Sequence, residues 1–266
     1  MRPISACCVL LAGTLAAAHQ PRPGIVVNPV TDVIVPQVVD GDSWKTSFFL
    51  TNLDPTNTIF WHLAFYANNG LPMNIPIQGA GPASRLFASL PPNWSVTIDT
   101  IGTASGLLQG WAVLSTFDRS ADQPGARQIT SKIGGMAVFR QRITGRPDFE
   151  AVVPFSPSNE TRFVMPFDNR NDFSTGIAWV NPDLSTPAPV EVTISTNDGR
   201  TLRIDNTITL APANKLVFSM PERYPESRGQ QGSILVRTTG RSLSGLGLRF
   251  NPTGAFTSFH TLSVAP

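Results

Sequence analysis

The chain reads as all-β, with two tandem antiparallel β-sandwich domains related by internal duplication. Three observations predict this. Short motifs recur in the same order about 130 residues apart, and repeats are the first thing to settle because they decide the architecture. Almost every segment is a short run rich in Val, Ile, Thr and Phe that alternates in polarity and ends at Gly, Pro or Asn, the signature of strands. Finally, the 24 prolines are spread throughout, and no long window carries the 3.6-residue period of a helix. An immunoglobulin-like topology is the first expectation and a jelly roll the alternative.

The elements follow in order. Residues 1–18 have the form of a secretory signal peptide: Arg2, an apolar run from Ile4 to Leu15, and Ala16-Ala17-Ala18 as the small-residue cleavage site. Both cysteines, Cys7 and Cys8, fall inside it, so a mature chain starting near His19 is expected to carry no disulfide. Residues 19–32 form a Pro-rich lead-in. The first copy spans 33–158 and the second 161–266, with a short Pro-bearing junction at Pro154 to Asn159 that keeps them adjacent.

Within the copies, Val33-Ile34-Val35-Pro36 answers Phe163-Val164-Met165-Pro166. Thr46 through Asn52-Leu53-Asp54 returns as Thr175 through Asn181-Pro182-Asp183. Asn69-Gly70 and Asp198-Gly199 predict two-residue type I′ hairpin turns, which need positive φ at both central positions. Leu90-Pro91-Pro92 pairs with Leu210-Ala211-Pro212, and Gly110 to Leu114 with Gly232 to Val236. In the strand from Ile59 to Ala67, Trp61, Leu63 and Phe65 share one face while His62, Ala64 and Tyr66 share the other. Period two predicts half-buried strands. The copies differ at Thr116 to Ser131, longer in the first, and at Pro221 to Gln231, longer in the second.

Three stretches resemble a known kind of protein: Gly135-Met136-Ala137-Val138-Phe139-Arg140-Gln141-Arg142, Gly145-Arg146-Pro147-Asp148-Phe149-Glu150-Ala151, and Leu246 to Thr257. They are similar to duplicated β-rich modules of secreted or surface-exposed bacterial proteins of uncharacterised function. The resemblance covers residues 33 to 264. It implies export and a non-catalytic modular role, and it brings no active site or cofactor with it.

Composition narrows the function. A net charge of +2 is too small to suggest nucleic acid or an anionic membrane as partner, the N-terminal apolar run is too short to span a bilayer, and no other run approaches the length needed. Beyond His19 only His62 and His260 remain, and neither a Gly-x-Ser-x-Gly elbow nor a His-Glu-x-x-His motif occurs. Three polar or aromatic constellations deserve a reading. Asp148 and Glu150 lie about 7 Å apart on one strand face, a spacing suited to an inverting glycosidase. Arg140 and Arg142 mirror them about Gly145, however, which predicts a structural charge ladder of Arg142 with Asp148 and Arg140 with Glu150. Asp40 and Asp42, with Asp168 and Asp172, occupy matching loops and offer oxygen ligands for Ca²⁺, although turn chemistry needs the same residue types. Of five tryptophans, Trp44 and Trp94 flank turns and are candidates for exposure and sugar stacking. The expected function is a secreted or cell-surface, non-catalytic protein with a structural, adhesion or binding role and no cofactor. A carbohydrate-binding pair that meets polysaccharide or another matrix component through exposed Trp is the first alternative, and a secreted glycoside hydrolase the second.

Overall fold

A computed structural model describes residues 32–157, 159–240 and 242–264. The signal-peptide reading of residues 1–18, with Cys7 and Cys8, and most of the Pro-rich lead-in lie outside the described residues. The described chain is all-β, with several antiparallel sheets. The first half holds β1 (Val33–Asp40), β2 (Trp44–Asn52), β3 (Ile59–Ala67), β4 (Ile75–Ile77), β5 (Gly81–Ala83), β6 (Arg85–Leu90), β7 (Ser95–Asp99), β8 (Leu108–Phe117), β9 (Gln128–Ile129), β10 (Ile133–Gln141), β11 (Phe149–Pro154) and β12 (Ser156–Pro157). The second half holds β13 (Arg162–Asp168), β14 (Ser174–Val180), β15 (Ala188–Thr196), β16 (Thr201–Leu210), β17 (Lys215–Ser219), α1 (Met220–Arg223), β18 (Gln231–Thr238), β19 (Ser244–Phe250), β20 (Phe256–Phe259) and β21 (Leu262–Ser263).

In the first half one sheet runs β12-β1-β8-β3-β6 and the other β11-β10-β2-β7. In the second half the orders are β21-β13-β18-β15-β16 and β20-β19-β14-β17. Setting aside the small β4, β5 and β9, the two halves match strand for strand in rank and neighbour. Apolar side chains of each sheet pair meet between them. Val35, Leu63, Phe65 and Leu114 face Phe48, Leu50, Ile98, Phe139 and Val153 in the first half. Phe163, Met165, Val192 and Ile234 face Ile177 and Trp179 in the second. Burial of each such side chain contributes roughly 1.5–3 kcal/mol.

The spacing of matched residues falls from 130 at Val33/Phe163 to 129 at Thr46/Thr175, and the fold supplies the reason. The β1–β8 register shifts between Val35 and Val38, whereas β13–β18 runs without a shift. The first half therefore carries one bulged residue that the second lacks. The threonines fix the alignment beyond it: Thr46 Oγ1 bonds the Val39 carbonyl and amide as Thr175 Oγ1 bonds those of Asp168. Asp40 consequently stands opposite Asn169, not opposite Asp168.

The turns differ from expectation in an instructive way. Gly70 (φ 80°) and Gly199 (φ 83°) are left-handed, but the residues before them are not. The Gly70 amide donates to the Ala67 carbonyl and the Gly199 amide to that of Thr196. These are three-residue loops, a type I turn closed by glycine, instead of type I′. The type I′ turns are at Asp42-Ser43 (φ 47° and 75°) and Asn171-Asp172 (φ 49° and 63°), which join β1 to β2 and β13 to β14.

The expectation of half-buried strands fails for the sheet containing β1, β3 and β8. From Ile34 to Asp40, from Trp61 to Tyr66 and from Gly110 to Phe117 every residue is buried. One face points into the first core. The other, with Ile34, Ala64, Tyr66, Trp111 and Val113, packs against Val180, Leu184 and Ala213 of the second half. The two halves thus share a buried interface.

Candidate functional site: the contact between halves and the open sheet face

The interface is built from the ends of elements. The Asn68-Asn69-Gly70 hairpin tip of the first half sits on the turn from Ala211 to Lys215, where the Lys215 amide donates to the Asn68 carbonyl (2.9 Å). A Cβ on Gly70 would lie 2.9 Å from that of Ala213, so glycine is required there by space as well as by φ. Trp111 Nε1 donates to the Ala213 carbonyl at 2.9 Å. Lys215 Nζ is buried and donates to the Gly110 carbonyl (2.7 Å) and to Gln37 Oε1. Among the described residues it has no carboxylate partner, and burial pushes its ammonium well below the ordinary lysine range.

At the other end of the contact, Phe256 of β20 is the centre of an aromatic cluster. Its ring lies 5.4 Å from Trp44, 5.3 Å from Phe139, 5.7 Å from Phe250 and 6.2 Å from Phe149. Trp44, expected to be exposed at a turn, is instead half-buried in this cluster. Its position on β2 turns it toward the core, and Phe256 covers it. Trp61, Trp111 and Trp179 are buried, while Trp94 is 48% exposed.

The polar candidates are held within the fold. Asp40 is buried at the end of β1, and its carboxylate accepts the amides of Gly102 (2.6 Å) and Ala104 (3.1 Å), closing the loop before β8. Asp168 is clamped by Arg170 (3.0 Å) and Arg249 (2.9 Å). Burial raises its pKa, but the arginine hydrogen bonds outweigh that and hold the carboxyl below its usual value. Asp42 and Asp172 supply positive φ to the type I′ turns. The four do not converge, and among the described residues no three His, Cys, Asp or Glu gather as a metal site.

The predicted charge ladder is changed as well. Arg140 faces Glu150 in register, but β10–β11 pairing ends at Gln141–Phe149. Arg140 serves both carboxylates, at 3.4 Å from Asp148 and 3.8 Å from Glu150. Arg142 makes no ion pair with Asp148: beyond the last ladder pair its amide donates to the Ser43 carbonyl (2.8 Å), and the chain leaves the sheet. All three ion-pairing side chains are about a third or more exposed.

His62 is buried with neither ring nitrogen hydrogen-bonded, stacked on Phe87 at 4.5 Å. Burial, helped by Arg85, lowers its pKa to about 4.

An accessible apolar feature is the outer face of β11-β10-β2-β7. Phe49 and Met136 pair across strands, as do Val138 and Val152. Phe49, Met136 and Val152 are 43%, 44% and 37% exposed. Trp94 and Leu53 lie at one end of this face, where the Asn52 amide donates to the Trp94 carbonyl (2.9 Å). The corresponding pair of the second half, Ala178 and Leu246, is buried and packs into the core cluster of the first.

No family model, curated protein or solved structure matches this chain.

Sequence reasoning missed the residues that join the halves. Trp111, Lys215 and Phe256 sit in ordinary strand runs, and nothing local marks them as interface. The one available signal is comparative: where Trp111, Ala64 and Tyr66 stand in the first half, Ser233, Thr193 and Ser195 stand in the second.

Proposed function

We propose that this is a secreted or cell-surface protein without catalytic activity, made of two duplicated immunoglobulin-like sandwiches, with a structural, adhesion or binding role. The observation that carries the reading is where the polar groups are used. Asp40 closes a loop, Asp168 lies between two arginines, Arg140 takes both Asp148 and Glu150, and neither ring nitrogen of His62 has a hydrogen-bond partner. Phe49, Met136 and Val152 instead leave apolar side chains exposed on one outer sheet face. Contiguous exposed apolar area of this kind marks interaction sites.

Duplication is supported by the matching strand orders and by one network repeated atom for atom. Asn52 Nδ2 donates to the carbonyls of Asn57, Leu90 and Pro91, and Asn181 Nδ2 to those of Thr186, Leu210 and Ala211. The immunoglobulin-like assignment is supported by β2 beside β7 in one sheet and β3 beside β8 in the other. The outer strands are exchanged relative to that fold, with β1 beside β8 and β10 beside β2.

A second reading, carbohydrate binding, is favoured by Trp94 alone, whose exposed ring offers a face to a sugar. A glycan array with the native chain and Trp94→Ala tests both. Binding that disappears in the variant supports the carbohydrate reading, and turnover of any arrayed glycan defeats the non-catalytic one.

A further inference from the structure

The contact that joins the two halves is made once within the chain, yet each of its two sides has a structural counterpart that is left uncovered. The receiving side in the second half is the turn Ala211 to Lys215 beside Ala178 and Leu246. Its counterpart in the first half is the turn Pro91 to Ser95 beside Phe49 and Met136. The match extends to backbone strain: Ala213 has φ 57° and Asn93, at the same place in its turn, φ 62°. The first is covered by the other half; the second is exposed, with Trp94 at 48%.

The inserted side repeats too. In the first half the tip Asn68-Asn69-Gly70 is braced by Asn68 Nδ2 donating to Gln109 Oε1 (3.2 Å), and it is docked. In the second half the tip Asn197-Asp198-Gly199 is braced by Asn197 Nδ2 donating to Gln231 Oε1 (3.1 Å), and it is exposed. A Cβ on Gly199 would meet nothing within 4 Å.

We infer that this chain associates head to tail with a second copy of itself, the Asn197–Gly199 tip of one molecule docking on the Pro91–Ser95 turn and the Phe49/Met136 face of the next. Such a heterologous contact does not close on itself in pairs, so it builds chains or rings. The occupant is specified by analogy with the existing interface: the equivalent face of the second half, around Ala178 and Leu246, already receives a sandwich of the same strand order. The repeated contact is weaker than the one it copies. Ser233 replaces Trp111, so the indole donor to the turn is gone, and Ser95 replaces Lys215. It also lacks the high effective concentration that the short junction gives the two halves. Association is therefore reversible and rises with protein concentration.

This inference stands whether or not the module binds glycans, because it concerns a contact with itself. Sedimentation velocity of the full chain up to its solubility limit, with Trp94→Glu, Gly199→Asn and their mixture, tests it. Asn tolerates left-handed φ, and both positions are exposed, so each variant retains the fold; circular dichroism matching the native chain verifies this. The native chain is expected to pass beyond twice its 28.7 kDa mass as concentration rises. Each variant alone is expected to remain monomeric. Their equimolar mixture is expected to form dimers and nothing larger, since one variant keeps the tip and the other keeps the turn. A native chain that stays monomeric, or that stops at dimers which the mixture does not restore, overturns the proposal.

Discussion

Phe256→Ala is the sharpest perturbation of the contact between halves. Phe256 is 8% exposed and touches three rings of the first half, Trp44, Phe139 and Phe149, as well as Phe250 of its own. Truncating a buried Phe costs about 3–5 kcal/mol, and each aromatic pair contributes about 0.5–1.5 kcal/mol beyond area burial. The site lies at the margin of a core, where neighbours can relax inward, so a loss of about 3 kcal/mol is expected. Urea unfolding followed by circular dichroism and by tryptophan fluorescence measures it. Because Trp44 loses its stacked partner, its emission should move to the red in the folded variant. Residues of both halves are involved, so the loss should be seen by probes in each. A loss below about 1 kcal/mol, or one confined to the second half, would refute the idea that Phe256 ties the two cores together.

Other outcomes follow from the same structure. His62 has its folded pKa lowered from 6.5 to about 4, so as pH falls the unfolded chain takes the proton first. Stability is lost between about pH 6.5 and 4, by up to about 3 kcal/mol, and an unfolding series in which His62→Phe retains that slope would rule out His62 as its source. For Lys215, also lowered in the fold by burial, the native chain should gain stability relative to Lys215→Met as pH rises toward the ordinary lysine value, because the unfolded lysine holds its proton longer than the folded one; a constant difference in Tm up to that pH would count against a lowered pKa. Asn52→Ala and Asn181→Ala each remove a side chain donating to three carbonyls and should cost similar amounts, about 1–3 kcal/mol. Denaturation midpoints showing one of them to be silent would contradict their matching roles.

Much of the fold was legible because strands and turns are local. Period-two alternation marked β3, and the recurring Asn-x-Asp marked the ends of β2 and β14. Proline and glycine marked the breaks. Type of turn was less legible, since Asn69-Gly70 suits both a two-residue loop and a type I turn closed by glycine, and the strand register decides between them. Asp42-Ser43 carries no such signature, yet it holds the type I′ turn. The one-residue bulge in β1 shifted the apparent match, pairing Asp40 with Asp168 when it corresponds to Asn169. The interface was not legible at all. An outward-facing Ile34, Ala64 or Val113 looks in sequence like a core residue of an ordinary strand, and only tertiary packing shows that the sheet is covered twice. Trp44 illustrates the converse: a residue beside a turn is exposed by default, unless another part of the chain, here Phe256, lies over it.

Native-state hydrogen exchange bears most directly on the joining of the two sandwiches into one folded unit. Amides of β1 and β8, buried on both faces, and of β14 and β19, which pack against them, should open with a common free energy equal to that of global unfolding. Phe256→Ala should lower all four strands by the same amount. Two separate opening energies, with β14 and β19 unaffected when the first half opens, would contradict a shared core and leave two independent domains on a tether.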